Sequence, residues 1–231
     1  MEQIAERVHA IRARIDSACD AAGRPQGSVE LLPVSKTRPA SAVLAAYAAG
    51  CRRFGENKAQ EAQSKAVELA GTPGLAWVMI GHLQSNKARL VAEFASEFQG
   101  LDSLPLAAEL DRRLQAAGRQ LDVLIQVNSS GEDSKFGLPP AEVAAFASAL
   151  APFDALRVRG LMTLALPSPD ADQVAACFQR VLAVQRDLRD AALGGQSFEE
   201  LSMGMSGDFE LAIAHGSTQV RIGTAIFGAR G

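Results

Sequence analysis

The chain has 231 residues, 48% of them hydrophobic, which is enough to bury a sizeable core in one large domain or two small ones. A formal net charge of -3 argues against the strongly basic surface that proteins use to hold nucleic acid or anionic lipid. No stretch approaches the roughly 20 apolar residues that span a bilayer, so we expect a cytoplasmic protein that binds neither nucleic acid nor membrane.

The first predicted element is an amphipathic helix. Ile4, Val8, Ile11 and Ile15 recur at helical spacing with charged residues between them, so one face of this helix should pack on the body of the protein. Its charged start is unlike a signal peptide. The helical pattern ends before the turn sequence AAGRPQG.

After this helix, short apolar strands alternate with alanine-rich helical runs. The eight strand candidates are residues 29–36, 52–57, 75–83, 97–103, 121–128, 156–165, 198–206 and 219–227. Most are continuous apolar runs, which is typical of parallel strands covered on both faces. The helical runs carry end signals: Pro39 and Gly50 bound one of them, and Ser206 as N-cap and Gly216 bound another.

This alternation predicts the fold class. Eight β/α units in 231 residues, without a linker or a break in composition, indicate one (β/α)8 TIM barrel that spans residues 1–231 and carries an extra N-terminal helix. The alternative is an open doubly wound sheet. It is disfavoured because no G-x-G-x-x-G follows a predicted strand and no G-x-x-x-x-G-K-[ST] occurs.

The cysteines and histidines do not predict a metal site. Cys19, Cys51 and Cys177 lie far apart in predicted helices, without a C-x-x-C pair or a histidine at ligand spacing. We therefore expect buried thiols in a reducing compartment and no bound metal.

Hydrogen-bonding side chains end every predicted strand. In a (β/α)8 barrel, the functional residues stand at the carboxyl ends of the strands. The residues at these positions are Lys36, Asn57, His82, Ser103, Asn128, Thr163, Ser202 with Ser206, and Thr224. Loop residues are polar in most proteins, but Lys36, Asn57 and His82 directly follow apolar or glycine-containing strands, where a plain turn favours Gly, Pro or Asp.

The last two predicted strands indicate an anion site. LSMGMSGDFE places serine and glycine at a strand end before a short helix, and RIGTAIFG places Gly223 and Thr224 at the next transition from strand to loop. Backbone N–H groups exposed by glycine, hydroxyls and a helix N-terminus favour anions, and barrels often bind phosphate after strands seven and eight. The alternative is a pair of glycine-rich turns.

Lys36 ends the first predicted strand and would face this phosphate site across the barrel mouth. That arrangement suggests a Schiff base with a phosphorylated carbonyl compound. At an unperturbed pKa of about 10.4, only about one lysine in a few thousand is neutral at pH 7, and burial lowers that pKa. The alternative is a solvated lysine at the end of a strand.

Arg221 has the same parity as Gly223 in the last predicted strand, so it should face the barrel interior. Its guanidinium stays protonated, and beside a pyridine nitrogen it would keep that nitrogen unprotonated and weaken the ring as an electron sink. The alternative is a structural ion pair with Glu56 or Asp102.

Six motifs, in their order and spacing, resemble one family. VSKT, FGEN, IGHLQSNK, LMTL, LSMGMSGD and VRIGTAIFGAR are similar to the pyridoxal phosphate homeostasis proteins, stand-alone barrels that are themselves similar to the N-terminal domain of bacterial alanine racemase. The resemblance covers nearly the whole chain. It implies a barrel that binds the vitamin B6 cofactor pyridoxal 5'-phosphate (PLP) as an internal aldimine on Lys36, for PLP homeostasis in the cell.

The resemblance also implies which residues surround the cofactor. Besides Lys36, these are Asn57 and His82 around the ring, Met203 against it, Arg221 near it, and Ser202, Gly223 and Thr224 at the phosphate. The long loop NSSGEDSKFGLPP carries Lys135, which the resemblance suggests as a second, weaker PLP-binding lysine. The alternative for Lys135 is a solvated loop lysine.

The sequence favours a carrier over an enzyme. A racemase needs acid and base groups on both faces of the substrate α-carbon, and alanine racemase takes one base, a tyrosine, from a second domain. The only tyrosine here, Tyr47, lies within a predicted helix and should face outward. We therefore expect a monomer that holds PLP without turnover and passes it to PLP-dependent apo-enzymes by transient contacts.

Two enzymatic alternatives remain open at this stage. One is an amino-acid racemase in which Lys36 is one base and His82 or water the other. The second is a class I aldolase-like barrel that uses Lys36 on a sugar phosphate.

Overall fold

The computed structural model describes residues 2–132, 136–191 and 196–229, and strands and helices alternate along them. The strands are β1 Glu30–Pro33, β2 Arg53–Glu56, β3 Ala76–Met79, β4 Glu97–Leu101, β5 Leu121–Val127, β6 Leu156–Thr163, β7 Glu200–Ser202 and β8 Gln219–Ile222. The helices are α1 Glu2–Ala21, α2 Ala40–Ala48, α3 Ala59–Glu68, α4 Ala88–Phe94, α5 Leu104–Ala116, α6 Val143–Ala149, α7 Ala171–Asp190, α8 Phe209–Ala214 and α9 Thr224–Phe227.

The eight strands of the described residues form a nearly closed parallel barrel. Their order is β1-β8-β7-β6-β5-β4-β3-β2, and every paired neighbour is parallel. Between β1 and β2 the contact is a single bridge from Val34 to Gly55, with the Ser35 N–H donating to the Gly55 carbonyl at 3.0 Å. The predicted (β/α)8 fold is confirmed, and the open doubly wound alternative is wrong because β1 lies between β8 and β2.

All eight predicted strands are present and begin within two residues of the predicted positions, but each ends earlier than predicted. The prediction of strand for residues 219–227 is wrong beyond Ile222, because the chain leaves the sheet at the barrel mouth and forms α9. Ser206 is not the N-cap of α8. That helix starts after Asp208, whose Oδ1 accepts the Met205 N–H at 2.6 Å and closes a turn before the helix.

Helix α1 packs as its spacing predicts. Val8, Ile11 and Ile15 are buried, and Ile4 is partly buried against the same core cluster. The helix packs against α2, α8 and α9, so it covers the outside of the barrel near β1 and β8.

The three cysteines are free and buried, as expected from their surroundings. None of the helices described is both long enough and apolar enough to cross a membrane.

Hydrogen-bonded polar side chains fill part of the barrel interior. At the amino-terminal end of the strands, Arg53 forms ion pairs with Glu30 and with buried Glu97. Gln99 Nε2 donates to Glu97 Oε1 at 2.6 Å and to Gln219 Oε1 at 2.5 Å. Gln219 Nε2 donates to Glu30 Oε2 at 2.9 Å. Because these groups are paired with each other, the interior tolerates their burial.

We predict that Gly160→Ala disrupts the pairing of β6 with β7. Gly160 pairs with Glu200, and a Cβ at residue 160 would lie 1.9 Å from the Glu200 carbonyl oxygen. Relieving this clash requires the backbone of β6 or β7 to move, so the free energy of unfolding, measured in urea, should fall by about 1–3 kcal/mol or more. The control is Gly71→Ala, where an added Cβ meets nothing within 4 Å. Equal stability of the two variants would contradict the described register.

Candidate functional site

A cavity of about 500 Å³ opens at the carboxyl ends of the strands. That volume lies in the range of pockets for small organic ligands. Its walls include Val34, Ile80 and Leu164, and its polar lining includes Lys36, Asn57, Ser206, Arg221, Gly223 and Thr224. The structure therefore brings together five of the predicted site residues in one cavity: Lys36, Asn57, Arg221, Gly223 and Thr224.

Lys36 follows β1 at the point where this strand contacts both of its neighbours. The Val34 N–H donates to the Ile222 carbonyl of β8 at 2.9 Å, and the Ser35 N–H bonds to β2. Val34 and Lys36, two positions apart, both line the cavity, as expected for one face of an extended chain. The lysine is half-buried, so its amine lies at the edge of a partly desolvated site.

Two turns supply hydroxyl and glycine backbone to the same cavity. Ser206 and Gly207 come from the turn between β7 and α8, Gly223 is the N-cap of α9, and Thr224 is the first residue of that helix. The first N–H groups of a helix have no partner inside that helix. Hydroxyls, flexible backbone and helix starts together suit the oxygens of a phosphate.

Arg221 forms part of the cavity floor and carries a positive charge. Its Nη1 donates to the Ser202 carbonyl at 2.7 Å and contacts Ser202 Oγ at 2.6 Å, while its Nη2 donates to the Thr163 carbonyl at 2.7 Å. Burial lowers the pKa of Arg221 to about 10, and the nearby Asp208 carboxylate opposes that shift. The guanidinium is therefore protonated at neutral pH and held in one orientation.

The structural ion pair considered for Arg221 is wrong. Glu56 instead bonds to Lys65 and to Ser35. Asp102 faces His82, with 4.0 Å between Asp102 Oδ2 and His82 Nδ1.

Ser202 and Met203 do not line the cavity. Ser202 is fully buried inside the barrel, where its Oγ lies 2.7 Å from Gln99 Oε1 as well as beside Arg221. Met203 is fully buried in the hydrophobic core. The chain then turns at Gly204, whose φ is +93°, and reaches the cavity at Ser206. Ser206, the second serine of LSMGMS, therefore lines the cavity, whereas Ser202, the serine that the resemblance suggested, does not.

His82 lies beside the cavity rather than in its lining. Its ring stacks on Phe136 with 4.1 Å between centroids, and the neighbouring Gly81 lines the cavity. Gly81 packs tightly, because an added Cβ would lie 2.5 Å from the Asn57 carbonyl oxygen. Lys135 lies outside the described residues.

The remaining strand-end candidates, Ser103, Asn128 and Thr163, are also absent from the cavity lining. Thr163 instead donates its hydroxyl to the Val127 carbonyl at 2.8 Å, and its own carbonyl supports Arg221. Across the described ranges, no group of three His, Cys, Asp or Glu side chains could hold a metal ion.

Sequence and structure comparisons agree with this architecture. The family profile "Alanine racemase, N-terminal domain" matches residues 7–231. A pyridoxal phosphate homeostasis protein from Pseudomonas aeruginosa is 48% identical to the chain, with 100% of this chain and 97% of that protein covered.

The chain is similar to solved structures, of which two bear on the fold and the cofactor. PipY of Synechococcus elongatus, with PLP bound, has a TM-score of 0.85 and 37% identity and covers 97% of this chain and 100% of its own. An alanine racemase from Clostridium difficile has a TM-score of 0.74 at 13% identity, covering 97% of this chain and 57% of that one, and this likeness shows the fold alone.

Proposed function

The chain belongs to the pyridoxal phosphate homeostasis protein family, and on that basis we propose that it binds PLP in the cavity at the barrel mouth. The observation that carries this proposal is the convergence of a half-buried lysine, two glycine-containing turns and a buried arginine on one cavity. The protein holds PLP and makes it available to PLP-dependent apo-enzymes through transient contacts. It acts as a monomer.

Lys36 holds the aldehyde end of the cofactor. When bound, PLP supplies an aldehyde carbon to which the neutral lysine amine adds, and the carbonyl oxygen leaves as water with both amine protons. This chemistry requires a lysine whose amine loses its proton more readily than in water. The apolar residues Val34 and Ile80 line the same cavity as Lys36.

The phosphate end fits the opposite pair of turns. Ser206 and Thr224 offer hydroxyl donors, and Gly207 and Gly223 bring backbone close to the oxygens. We therefore assign the serine contact to Ser206 and give Ser202 the task of orienting Arg221. Asn57 follows β2, packs closely against Gly81 and lines the cavity, and we assign it to the pyridine ring of PLP.

Arg221 favours a protein that holds PLP over one that uses PLP to convert amino acids. A protonated guanidinium beside the pyridine nitrogen keeps that nitrogen unprotonated, so the ring withdraws fewer electrons from a bound amino acid. The position of Tyr47 supports the same conclusion: its hydroxyl donates to the Pro73 carbonyl at 2.8 Å, and it does not line the cavity. His82, which with water was a candidate second base of the racemase alternative, lies beside the cavity and does not line it.

Borohydride reduction tests the attachment site. After incubation with PLP, reduction and peptide mapping, we expect a pyridoxyl group on the Lys36 peptide, because among the lysines that the structure describes Lys36 alone lines the cavity. Lys36→Ala should abolish the adduct in the cavity. The matched control is Lys58→Ala, at an exposed lysine close to Asn57, which should leave the adduct intact. An unmodified Lys36 in a correctly folded protein would overturn the proposal.

Comparison of PLP with pyridoxal, which lacks the phosphate, tests the phosphate turns. Ser206→Ala and Thr224→Val should each weaken PLP binding by about 10- to 100-fold, the value of a hydrogen bond to a charged group, and leave pyridoxal binding unchanged. Ser202→Ala should instead lower the melting temperature, because it removes a buried partner of Arg221. Loss of PLP and pyridoxal binding in equal measure would contradict the assignment.

Chiral analysis tests the absence of turnover. We expect PLP-loaded protein incubated with L-alanine or L-serine to form D-isomer no faster than free PLP at the same concentration. Steady formation at enzyme-like rates, about 1 s⁻¹ or above, would favour the racemase alternative. His82→Ala would then distinguish the two candidates for the second base, because the rate collapses if His82 is that base and persists if water is.

A further inference from the structure

The ammonium of Lys65, on α3, is buried beneath the segment that carries Lys36. Only 6% of the residue is exposed. Its Nζ donates to Glu56 Oε1 at 2.7 Å, to Glu61 Oε1 at 2.8 Å and to the Ser35 carbonyl at 2.7 Å. An ammonium has three donors, so this set uses all of them.

The same network holds the backbone on both sides of Lys36. On one side, the Ser35 carbonyl accepts from Lys65 and the Ser35 hydroxyl donates to Glu56 Oε1 at 2.6 Å. On the other side, the Thr37 N–H donates to Glu61 Oε1 at 2.5 Å. Lys36 therefore lies between two residues that are both tied to Lys65 or its carboxylate partners.

The backbone of Thr37 has an unusual conformation where the network holds it. Its φ is +63°, in the left-handed region that β-branched residues rarely adopt. Such a residue persists only where surrounding contacts compensate its strain. The bond from the Thr37 N–H to Glu61 is such a contact, and it turns the chain sharply just after Lys36.

Stability alone is a weak reason for this network. A buried lysine and a fully buried carboxylate lose their hydration, and a buried ion pair often contributes no net stability over apolar residues of similar size. Burial raises the pKa of Glu56, and the bonds from Lys65 and Ser35 oppose that shift. What the network provides is a fixed backbone at residues 35 to 37, at the seam between β1 and β2.

We propose that Glu56, Glu61 and Lys65 are positioning residues that hold residues 35 to 37 so that Lys36 enters the cavity. The inference rests on the proposed function, since it concerns how the chain presents the lysine to PLP. None of the three touches the cofactor cavity. They act on covalent attachment through the Lys36 backbone and leave the phosphate turns unchanged.

The test compares PLP with pyridoxine 5'-phosphate, which carries the ring and the phosphate but no aldehyde. Glu61→Ala removes the acceptor of the Thr37 N–H, so the fraction of PLP trapped on Lys36 by borohydride and the affinity for PLP should each fall about tenfold. The affinity for pyridoxine 5'-phosphate should stay the same. Glu61→Gln keeps an acceptor oxygen and should restore most of the trapping.

Glu68→Ala is the matched control, because Glu68 is exposed on the same helix. If Glu61→Ala does not fold, Glu61→Asp replaces it, since this variant keeps the charge and shortens the side chain by one methylene. It too should weaken PLP binding and trapping and leave the affinity for pyridoxine 5'-phosphate unchanged. Equal trapping in wild type and Glu61→Ala (or Glu61→Asp, where it replaces that variant), or an equal loss of affinity for both ligands, would overturn the positioning role. Wild-type protein that forms no Lys36 adduct would instead overturn the proposed function.

Discussion

Closure of the barrel between β1 and β2 is the constraint on which the site depends. The seam has one backbone bridge, Val34 to Gly55, and Gly55 leaves room there for the Val34 side chain, because an added Cβ would lie 3.3 Å from a Val34 methyl group. Since β1 also pairs along its length with β8, closure places Lys36 beside the end of the strand that carries Arg221. The first and last strands thus meet, and residues nearly 190 positions apart form one cavity.

The polar interior explains why the cavity floor is rigid. Arg221 is held by the Ser202 and Thr163 carbonyls, and Ser202 connects through Gln99 to the charged groups at the opposite end of the barrel. These bonds hold the guanidinium in one orientation towards the cavity.

Much of this could be predicted from local patterns in the sequence. Apolar runs separated by helical segments indicate the eight strands, and period-two parity correctly placed Arg221 inside the barrel. The choice between Ser202 and Ser206 could not be made this way, because it depends on where β7 ends and how Gly204 turns. The strand-like residues after Ile222 form α9, because the pairing of β8 with its neighbours ends at the barrel mouth, and the sequence does not show where that pairing ends. The turn signal SGD, which includes the second serine, could have indicated Ser206. The ion pair of Lys65 with Glu56 could not be predicted, because it depends on how α3 packs against β2.

A crystal structure of the protein grown with PLP tests the central claim most directly. The account predicts continuous density from Lys36 Nζ to the cofactor, with the phosphate between the Ser206–Gly207 and Gly223–Thr224 turns. It also predicts residues 35 to 37 in the backbone conformation described above, with Thr37 left-handed. Density for PLP attached to another lysine, or a phosphate bound away from both turns, would contradict the account.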